Sequence, residues 1–298
     1  MARIAYVNGR YRPLKDEAIA IEDRGYQFAD GVYEVVKVLD GRPRDFERHL
    51  DRLARSLDAL EMSPPMTRAA LTSVLEETLR RNGLATALLY IQVTRGVAPR
   101  NHPFPRHVKS SLVVTVRRPS FPGAVELEQG VKVMTQPDLR WGRCDIKSIS
   151  LLPNVLAKQQ AVAAGCRETW LIDEAGTVTE GSASNAYIVD ADGRLITHPL
   201  GERILGGVTR AVVLELARAE GIEVIERPFA LDEAYRAREA ALSSTSSLFL
   251  PVVAIDDRPV GNGYPGTVVR RLVALYADHL SQPASPSEGE SARFSIAG

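Results

Sequence analysis

The apolar positions in residues 3–40 follow the short alternating runs that are typical of β-strands. Strands are predicted in this part of the chain at residues 4–7, 18–21 and 32–39. An Asn-Gly pair follows the first strand and an Asp-Gly pair follows the last, as expected for hairpin turns. On the last strand the period of two places Tyr33, Val35 and Lys37 on one face, so that face carries a charge and is not plain core.

From residue 45 the apolar period changes to that of an amphipathic helix. One helix is predicted at residues 45–61, and a second at 67–82 begins at Thr67 and ends at an Asn-Gly pair. Two strands at 88–93 and 112–116 follow, separated by a basic loop that contains three prolines.

A Pro-Ser-Phe-Pro-Gly stretch then interrupts the pattern, and strands and helices start again after it. Further strands are predicted at residues 131–134, 169–172, 186–189, 195–197, 222–225, 240–243 and 252–255. Further helices are predicted at residues 153–164, 209–220 and 265–279. We therefore expect a mixed α+β chain with an N-terminal domain at 1–118, a linker at 119–126, a C-terminal domain at 127–280, and a disordered tail at 281–298 that is rich in Ser, Pro, Glu and Gly.

Composition narrows the class of protein. The 298 residues are 45% hydrophobic and 25% charged, which is a globular balance with enough apolar material for a sizeable core. Lys+Arg and Asp+Glu both number 37, so no global field favours nucleic acid or an anionic membrane as a partner. The two cysteines lie outside any metal-binding spacing, which indicates free thiols, no metal site and a reducing compartment. Because no signal peptide and no run near the roughly 18 apolar residues of a membrane span is found, we expect a cytoplasmic protein.

Lys147 is the first candidate for chemistry, because it lies between Ile146 and the apolar residues that begin at Ile149. A lysine becomes a nucleophile toward carbonyls when desolvation or a nearby cation lowers its pKa. The alternative is a surface lysine at the end of a strand. Glu180 is the second candidate, since a carboxylate can keep a pyridine nitrogen protonated. Its alternative is a solvated loop glutamate, although the small residues 181–185 that follow would allow the backbone to lie against a ligand.

Three features favour the binding of an anion such as a phosphate. The Leu-Gly-Gly-Val-Thr stretch at 205–209 begins a helix, where free amides and a hydroxyl can bind anions. Residues 243–247 are five consecutive hydroxyl residues, and Arg52 beside the leucine stripe could offer a bidentate fork. Each has a structural alternative: a threonine cap, a polar loop, or a charge on a solvated helix face.

Arg100 and His102 lie in the proline-flanked loop and could together clamp a carboxylate, or be ordinary loop charges. Motifs of other chemistries are not found: there is no GxGxxG after a strand, no Walker A lysine, no HExxH and no GxSxG.

Taken in order along the chain, several stretches resemble the class IV, fold-type IV pyridoxal-phosphate aminotransferases, and most closely the D-amino-acid transaminases among them. They are EDRGYQF at 22–28, DGVYEVVK at 30–37, HLDRL at 49–53, QVTRG at 92–96, PRNH at 99–102, RCDIKS at 143–148, VTEG at 178–181 and TR at 209–210. The resemblance implies the two-domain fold-type IV architecture, with a smaller N-terminal α/β domain and a larger, β-rich C-terminal domain with helices.

The resemblance also implies a role for each matching residue. Lys147 is the catalytic lysine, which holds pyridoxal 5′-phosphate as a Schiff base and moves the proton between the substrate α-carbon and the cofactor. Glu180 pairs with the pyridine nitrogen, and Arg140 lies near it. The remaining implied cofactor-binding residues are Arg52, Leu205, Val208, Thr209, Ser244 and Thr245. The implied substrate-binding residues are Tyr33, Val35, Lys37, Arg100 and His102. In this family the Arg-x-His loop reaches in from the partner subunit, which implies a homodimer with a shared active site.

The activity implied is a ping-pong transamination between a D-amino acid such as D-alanine and a 2-oxo acid, either 2-oxoglutarate or pyruvate. Alternatives of the same fold are a branched-chain L-amino-acid aminotransferase, an (R)-amine transaminase and an aminodeoxychorismate lyase, and an alternative of another class is a non-catalytic cofactor carrier. The sequence departs from the family pattern at Ala29, Asn101, Pro103 and Ala183. The changes in the trap loop and at Ala183 leave the breadth of the substrate range open.

Overall fold

The computed structural model describes residues 3–282, which form two compact units. The first consists of residues 3–119 and 146–150, and the second consists of 120–145 and 151–282. The predicted domain and linker bounds stay predictions. The predicted tail lies outside the described residues from 283 onward, and Ser281 belongs to the last helix.

The first unit is built on a six-stranded antiparallel sheet with the order β2-β1-β6-β5-β3-β4. Its strands are β1 (Ile4–Val7), β2 (Arg10–Pro13), β3 (Gly31–Leu39), β4 (Arg42–Pro43), β5 (Ala87–Thr94) and β6 (Ser111–Arg117). Its helices are α1 (Arg24–Phe28), α2 (Phe46–Ala59) and α3 (Arg68–Asn82). The apolar stripe of α2 and the leucines of α3 join β3, β5 and β6 in one hydrophobic core, as their helical spacing predicts.

One predicted strand of this unit, residues 18–21, is wrong. The segment has no strand pairing, and Ile21 is 83% exposed, so its alternating apolar residues do not face a core. The chain instead enters α1, where the Asp23 carboxylate accepts a hydrogen bond from the Gly25 amide at 2.8 Å and caps the helix. Five residues are too few to show a helical period, which is why α1 was not predicted.

The second unit contains a nine-stranded mixed sheet with the path β12-β11-β10-β13-β14-β7-β8-β9, and β15 also pairs with β14. Its strands are β7 (Val131–Pro137), β8 (Glu168–Ile172), β9 (Val178–Gly181), β10 (Asn185–Val189), β11 (Leu195–Thr197), β12 (Val224–Glu226), β13 (Glu239–Ser244), β14 (Leu248–Ile255) and β15 (Arg258–Pro259). Its helices are α4 (Ala124–Gln129), α5 (Leu152–Ala163), α6 (Val208–Ala219), α7 (Leu231–Tyr235) and α8 (Thr267–Ser281).

The centre of this sheet is almost entirely buried, because β10 and β13 have neighbours on both edges. The mixture of helices and sheets predicted from the sequence is confirmed. Strand β9 was not predicted, since only four residues pair and two of them are polar, yet it is the strand that carries Glu180. Within residues 3–282, no helix combines the length and the apolar character that crossing a membrane requires.

Candidate active site

The segment that carries Lys147 is joined to the open edge of β3. The Tyr33 amide donates to the Lys147 carbonyl at 2.9 Å, and the Ile149 amide donates to the Gly31 carbonyl at 3.0 Å. Ile146 is buried in the core of the first unit, and Lys147 itself is half-buried. The backbone on both sides of the lysine is therefore fixed by the sheet that it borders.

The side chain of Lys147 lies over an aromatic face. Its Nζ is 4.2 Å from the centroid of the Tyr33 ring, and that ring stacks on Tyr90 with centroids 5.6 Å apart. The lysine amide also donates to Oγ of Ser56 on α2 at 3.2 Å. Because a cation over an aromatic ring is attracted to its negative face, Tyr33 holds the amine in a defined position.

Arg52 is anchored by a buried carboxylate. Nε and Nη2 of Arg52 donate to the two oxygens of Glu34 at 2.7 and 2.9 Å, and Nδ1 of His49 lies 2.9 Å from the same carboxylate. Burial opposes ionisation of Glu34, but the charge and hydrogen bonds of Arg52, with the hydrogen bond of His49, hold its pKa well below the usual range. Glu34 thereby fixes the plane of the Arg52 guanidinium. The sequence marked Glu34 only as a charge within a strand.

Arg100 and His102 occupy an exposed loop of the same unit. The Arg100 guanidinium lies 4.5 Å from the centroid of the Phe28 ring and donates to the Gln27 carbonyl at 3.3 Å. The His102 ring lies 5.4 Å from that of Phe28. Within the described residues, neither side chain makes a hydrogen bond or ring contact with Tyr33.

The buried Arg24 shapes this loop from below. Its guanidinium donates to the carbonyls of Asn101 at 2.5 Å and His102 at 3.2 Å, and Nε donates to Asp30 at 2.7 Å. A buried arginine that spends its donors on loop carbonyls fixes the backbone and leaves the side chains pointing elsewhere. Nothing in the local sequence identified Arg24, because its partners lie far along the chain.

Val35 and Lys37 continue the face of β3 that begins with Tyr33. Val35 is half-buried, whereas Lys37 is only 2% exposed. Burial lowers the pKa of Lys37 to about 7, an effect that Asp45 opposes and Arg44 reinforces. The predicted substrate-binding role of these two residues stays a prediction.

The second unit positions Glu180 through three donors. One oxygen of the carboxylate accepts from Nη1 of Arg140, and the other accepts from Nδ2 of Asn185 at 3.0 Å and from the Leu205 amide at 3.1 Å. Arg140 is in turn held by Asp138, whose two oxygens accept from its Nε and Nη2 at 2.9 and 2.8 Å. Burial would lower the pKa of Arg140, but its bonds with Asp138 and the charges of both carboxylates raise it.

The predicted anion-binding elements lie in the same unit as Glu180. Helix α6 has Gly207 as its N-cap and no side-chain cap, so its first amides are not capped by a side chain. Thr209 in the first turn is buried, and its Oγ1 is 3.4 Å from the Tyr276 hydroxyl. Ser244 ends β13, and its hydroxyl accepts from the Ser247 amide at 2.9 Å in the turn that contains Thr245.

The residues present fit pyridoxal phosphate. An uncapped helix start with a threonine and two further hydroxyl residues matches a phosphate group. A buried carboxylate held by Arg140 and Asn185 matches a protonated pyridine nitrogen. A lysine amine over an aromatic ring, in the first unit, matches an aldehyde carbon. Asp138, Asn185, Glu34 and Arg24 support these groups and were not predicted.

Comparison with known proteins gives consistent matches. Residues 31–255 match the model of the amino-transferase class IV family. The D-alanine aminotransferase of Staphylococcus haemolyticus is 39% identical over 281 residues, which cover 94% of this chain and 99% of that protein. The D-alanine aminotransferase of Bacillus licheniformis is 38% identical over 281 residues, which cover 93% and 97%.

The fold also has solved counterparts. A branched-chain amino acid aminotransferase from the organism abbreviated T.th., solved with pyridoxamine 5'-phosphate, superimposes with a TM-score of 0.86 over 96% of this chain and 97% of that one, at 25% sequence identity. The matches in sequence and in structure confirm the predicted fold class.

Proposed function

Since this chain belongs to the class IV aminotransferases, we propose that it transfers the amino group of a D-amino acid such as D-alanine to a 2-oxo acid, either 2-oxoglutarate or pyruvate. The observation that carries the choice of substrate is the identity of 38 to 39% with D-alanine aminotransferases over nearly the whole chain. The branched-chain enzyme with the same fold is only 25% identical, so it supports the architecture more than the substrate.

Pyridoxal phosphate, when bound, acts as the electron sink that lets a substrate α-carbon lose its proton. Glu180, with Arg140 behind it, keeps a negative charge where the pyridine N–H would lie. Val208 and Thr209 at the start of α6, next to Leu205, would hold the phosphate from one side. Arg52, Ser244 and Thr245 supply its remaining donors in this proposal.

Lys147 is the proposed proton carrier. Its amine would anchor the cofactor in the resting enzyme, and would then take the proton from the substrate α-carbon and return it at the neighbouring carbon. The ring of Tyr33 below Nζ limits the directions in which the amine can point. A base fixed in this way delivers its proton to one face of the substrate, which is what a reaction specific for one enantiomer needs.

The substrate carboxylate is the proposed ligand of Tyr33, Arg100 and His102, with Val35 and Lys37 nearer the substrate side chain. We further propose a homodimer in which the Arg100 loop serves the site of the partner. Two observations support this: both loop side chains are exposed, and their contacts in the described chain are with the Phe28 and Gln27 surface. The two free thiols support the further proposal that the protein is cytoplasmic.

A donor panel tests the proposed function. The purified protein, loaded with pyridoxal phosphate, is given single D- or L-amino acids and then 2-oxoglutarate, and the absorbance of the bound cofactor is followed. D-alanine is expected to convert the cofactor to its amine form and 2-oxoglutarate to restore it. Faster conversion by L-leucine would assign a branched-chain L-aminotransferase instead, and pyruvate release without an acceptor would assign a lyase.

A further inference from the structure

We propose that Asn185 is a positioning residue that ties the partner of the pyridine nitrogen, Glu180, to the loop that starts the phosphate-binding helix. One amide group would thus set the spacing between the two ends of the cofactor site. This inference rests on the proposed function, because it assigns both ends to one cofactor.

The amide of Asn185 is divided between the two ends. Its Nδ2 donates to the Glu180 carboxylate at 3.0 Å and to the Leu205 carbonyl at 2.9 Å. Both partners are acceptors, so the orientation of the amide follows from its bonds. The Leu205 amide donates to the same oxygen of Glu180 at 3.1 Å, which closes a small ring of hydrogen bonds between strand and loop.

The other side of the same amide lies against the first residues of α6. A Cβ built on Gly207 would lie 2.1 Å from Oδ1 of Asn185, so only glycine allows the helix cap to come this close. Asn185 therefore contacts the loop on both sides of Gly206, through a hydrogen bond on one side and close packing on the other.

The backbone of Asn185 is itself held by the sheet. The residue begins β10, where it pairs with Ser243 of β13, the position before Ser244. The next inward residue on that face, Tyr187, shares a hydrogen bond of 2.7 Å with the Ser243 hydroxyl. Asn185 is 4% exposed, so its side chain cannot swing into solvent without leaving Glu180. It thus stands at the meeting point of the three elements that would hold the cofactor.

A neutral amide is the side chain that this position requires. Aspartate has the same shape, but it would replace both N–H donors with oxygens and place a second carboxylate against Glu180. Alanine would remove the bonds and leave two buried acceptors with fewer donors. Both changes should loosen the two ends of the site together, because the same nitrogen serves both.

The test uses three probes on the cofactor-free protein: pyridoxal phosphate, pyridoxal, which has the ring without the phosphate, and inorganic phosphate. Binding of each is measured by calorimetry for the wild type, Asn185→Asp and Asn185→Ala. Since a hydrogen bond to a charged group is at stake, we expect pyridoxal affinity to fall by roughly tenfold or more. We expect phosphate affinity to fall by about fivefold, because the loop before α6 loses its anchor.

The matched control is Thr197→Val. The Thr197 hydroxyl donates to the Ala186 carbonyl of the same strand at 2.8 Å, so this variant also loses one buried hydrogen bond at β10. A general loss of stability should act in both variants, whereas the three probes should bind Thr197→Val as they bind the wild type. The absorbance of bound pyridoxal phosphate supplies a second readout: the added carboxylate of Asn185→Asp should favour the protonated ring and shift the pH midpoint of that absorbance upward, with Arg140 and Asp138 unchanged.

The outcomes separate the two proposals. If the wild type does not bind pyridoxal phosphate, the proposed function fails, and this inference fails with it. If the wild type binds the cofactor but the Asn185 variants weaken pyridoxal alone, phosphate alone or neither, the coupling of the two ends is overturned while the proposed function stands.

Discussion

Two short segments of the first unit, residues 146–150 and the loop 99–102, both carry proposed active-site side chains, but they are held in opposite ways. The first is bonded along its backbone to β3, and Ile146 anchors it in the core. The second is exposed at every residue and is held only from below, where Arg24 takes the carbonyls of Asn101 and His102.

The difference teaches which part of the chemistry one chain can organise alone. The Lys147 amine has its direction set by Tyr33, a residue of the same unit. Arg100 and His102 have a fixed backbone, yet their side chains face outward, a position suited to a ligand held by a second copy. Proton transfer should therefore depend on contacts within the chain, and substrate capture on contacts beyond it.

The largest expected effect is at the fixed segment. Lys147→Ala removes the only group proposed to carry the proton, so turnover with D-alanine should fall by about 10³-fold or more. The absorbance of the lysine-bound cofactor should disappear as well. Lys109→Ala, an exposed lysine of the same unit, serves as the control and should keep both. Retention of turnover and absorbance by Lys147→Ala would rule out the proposed role of this lysine.

The contrast between the segments also marks what a sequence can reveal. Helix α2 was predictable because its apolar stripe repeats over 14 residues, whereas the strand predicted at 18–21 failed because four residues show a period without showing a partner. The pairing of Lys147 with β3 left no local pattern, since its two halves lie far apart in the chain. Asn185 was missed for the same reason: its neighbours Glu180 and Leu205 meet only in the fold.

A smaller and different effect is expected at the exposed loop. Arg100→Ala should raise the KM for D-alanine by roughly 10 to 150-fold, because a bond between guanidinium and carboxylate is lost, while the affinity for pyridoxal phosphate changes little. Arg106→Ala, an exposed arginine of the same loop region, is the control. An equal loss of cofactor affinity in Arg100→Ala would place this arginine at the cofactor and not at the substrate.

Mixing the two variants sharpens the comparison. If the loop serves the partner's site, a dimer of one Lys147→Ala chain and one Arg100→Ala chain contains one site with both defects and one intact site. Random exchange of subunits should then restore activity at about a quarter of the wild-type sites. Activity that never exceeds the sum of the separate variants would show that each chain uses its own loop.

The smallest effect is expected at the residue that holds the loop without touching a ligand. Arg24→Lys keeps a cation beside Asp30 but loses the fork that reaches the carbonyls of Asn101 and His102. Asp30 retains Arg95, whose Nε donates to it at 2.8 Å, so the unit should still fold. A looser loop should raise the KM for D-alanine by about fivefold and leave kcat unchanged, since the worth of one or two neutral hydrogen bonds is lost and Lys147 is untouched. Steady-state kinetics beside an Arg106→Lys control would detect this split, and a fall in kcat with KM unchanged would mean that Arg24 acts on the fixed segment and not on the loop.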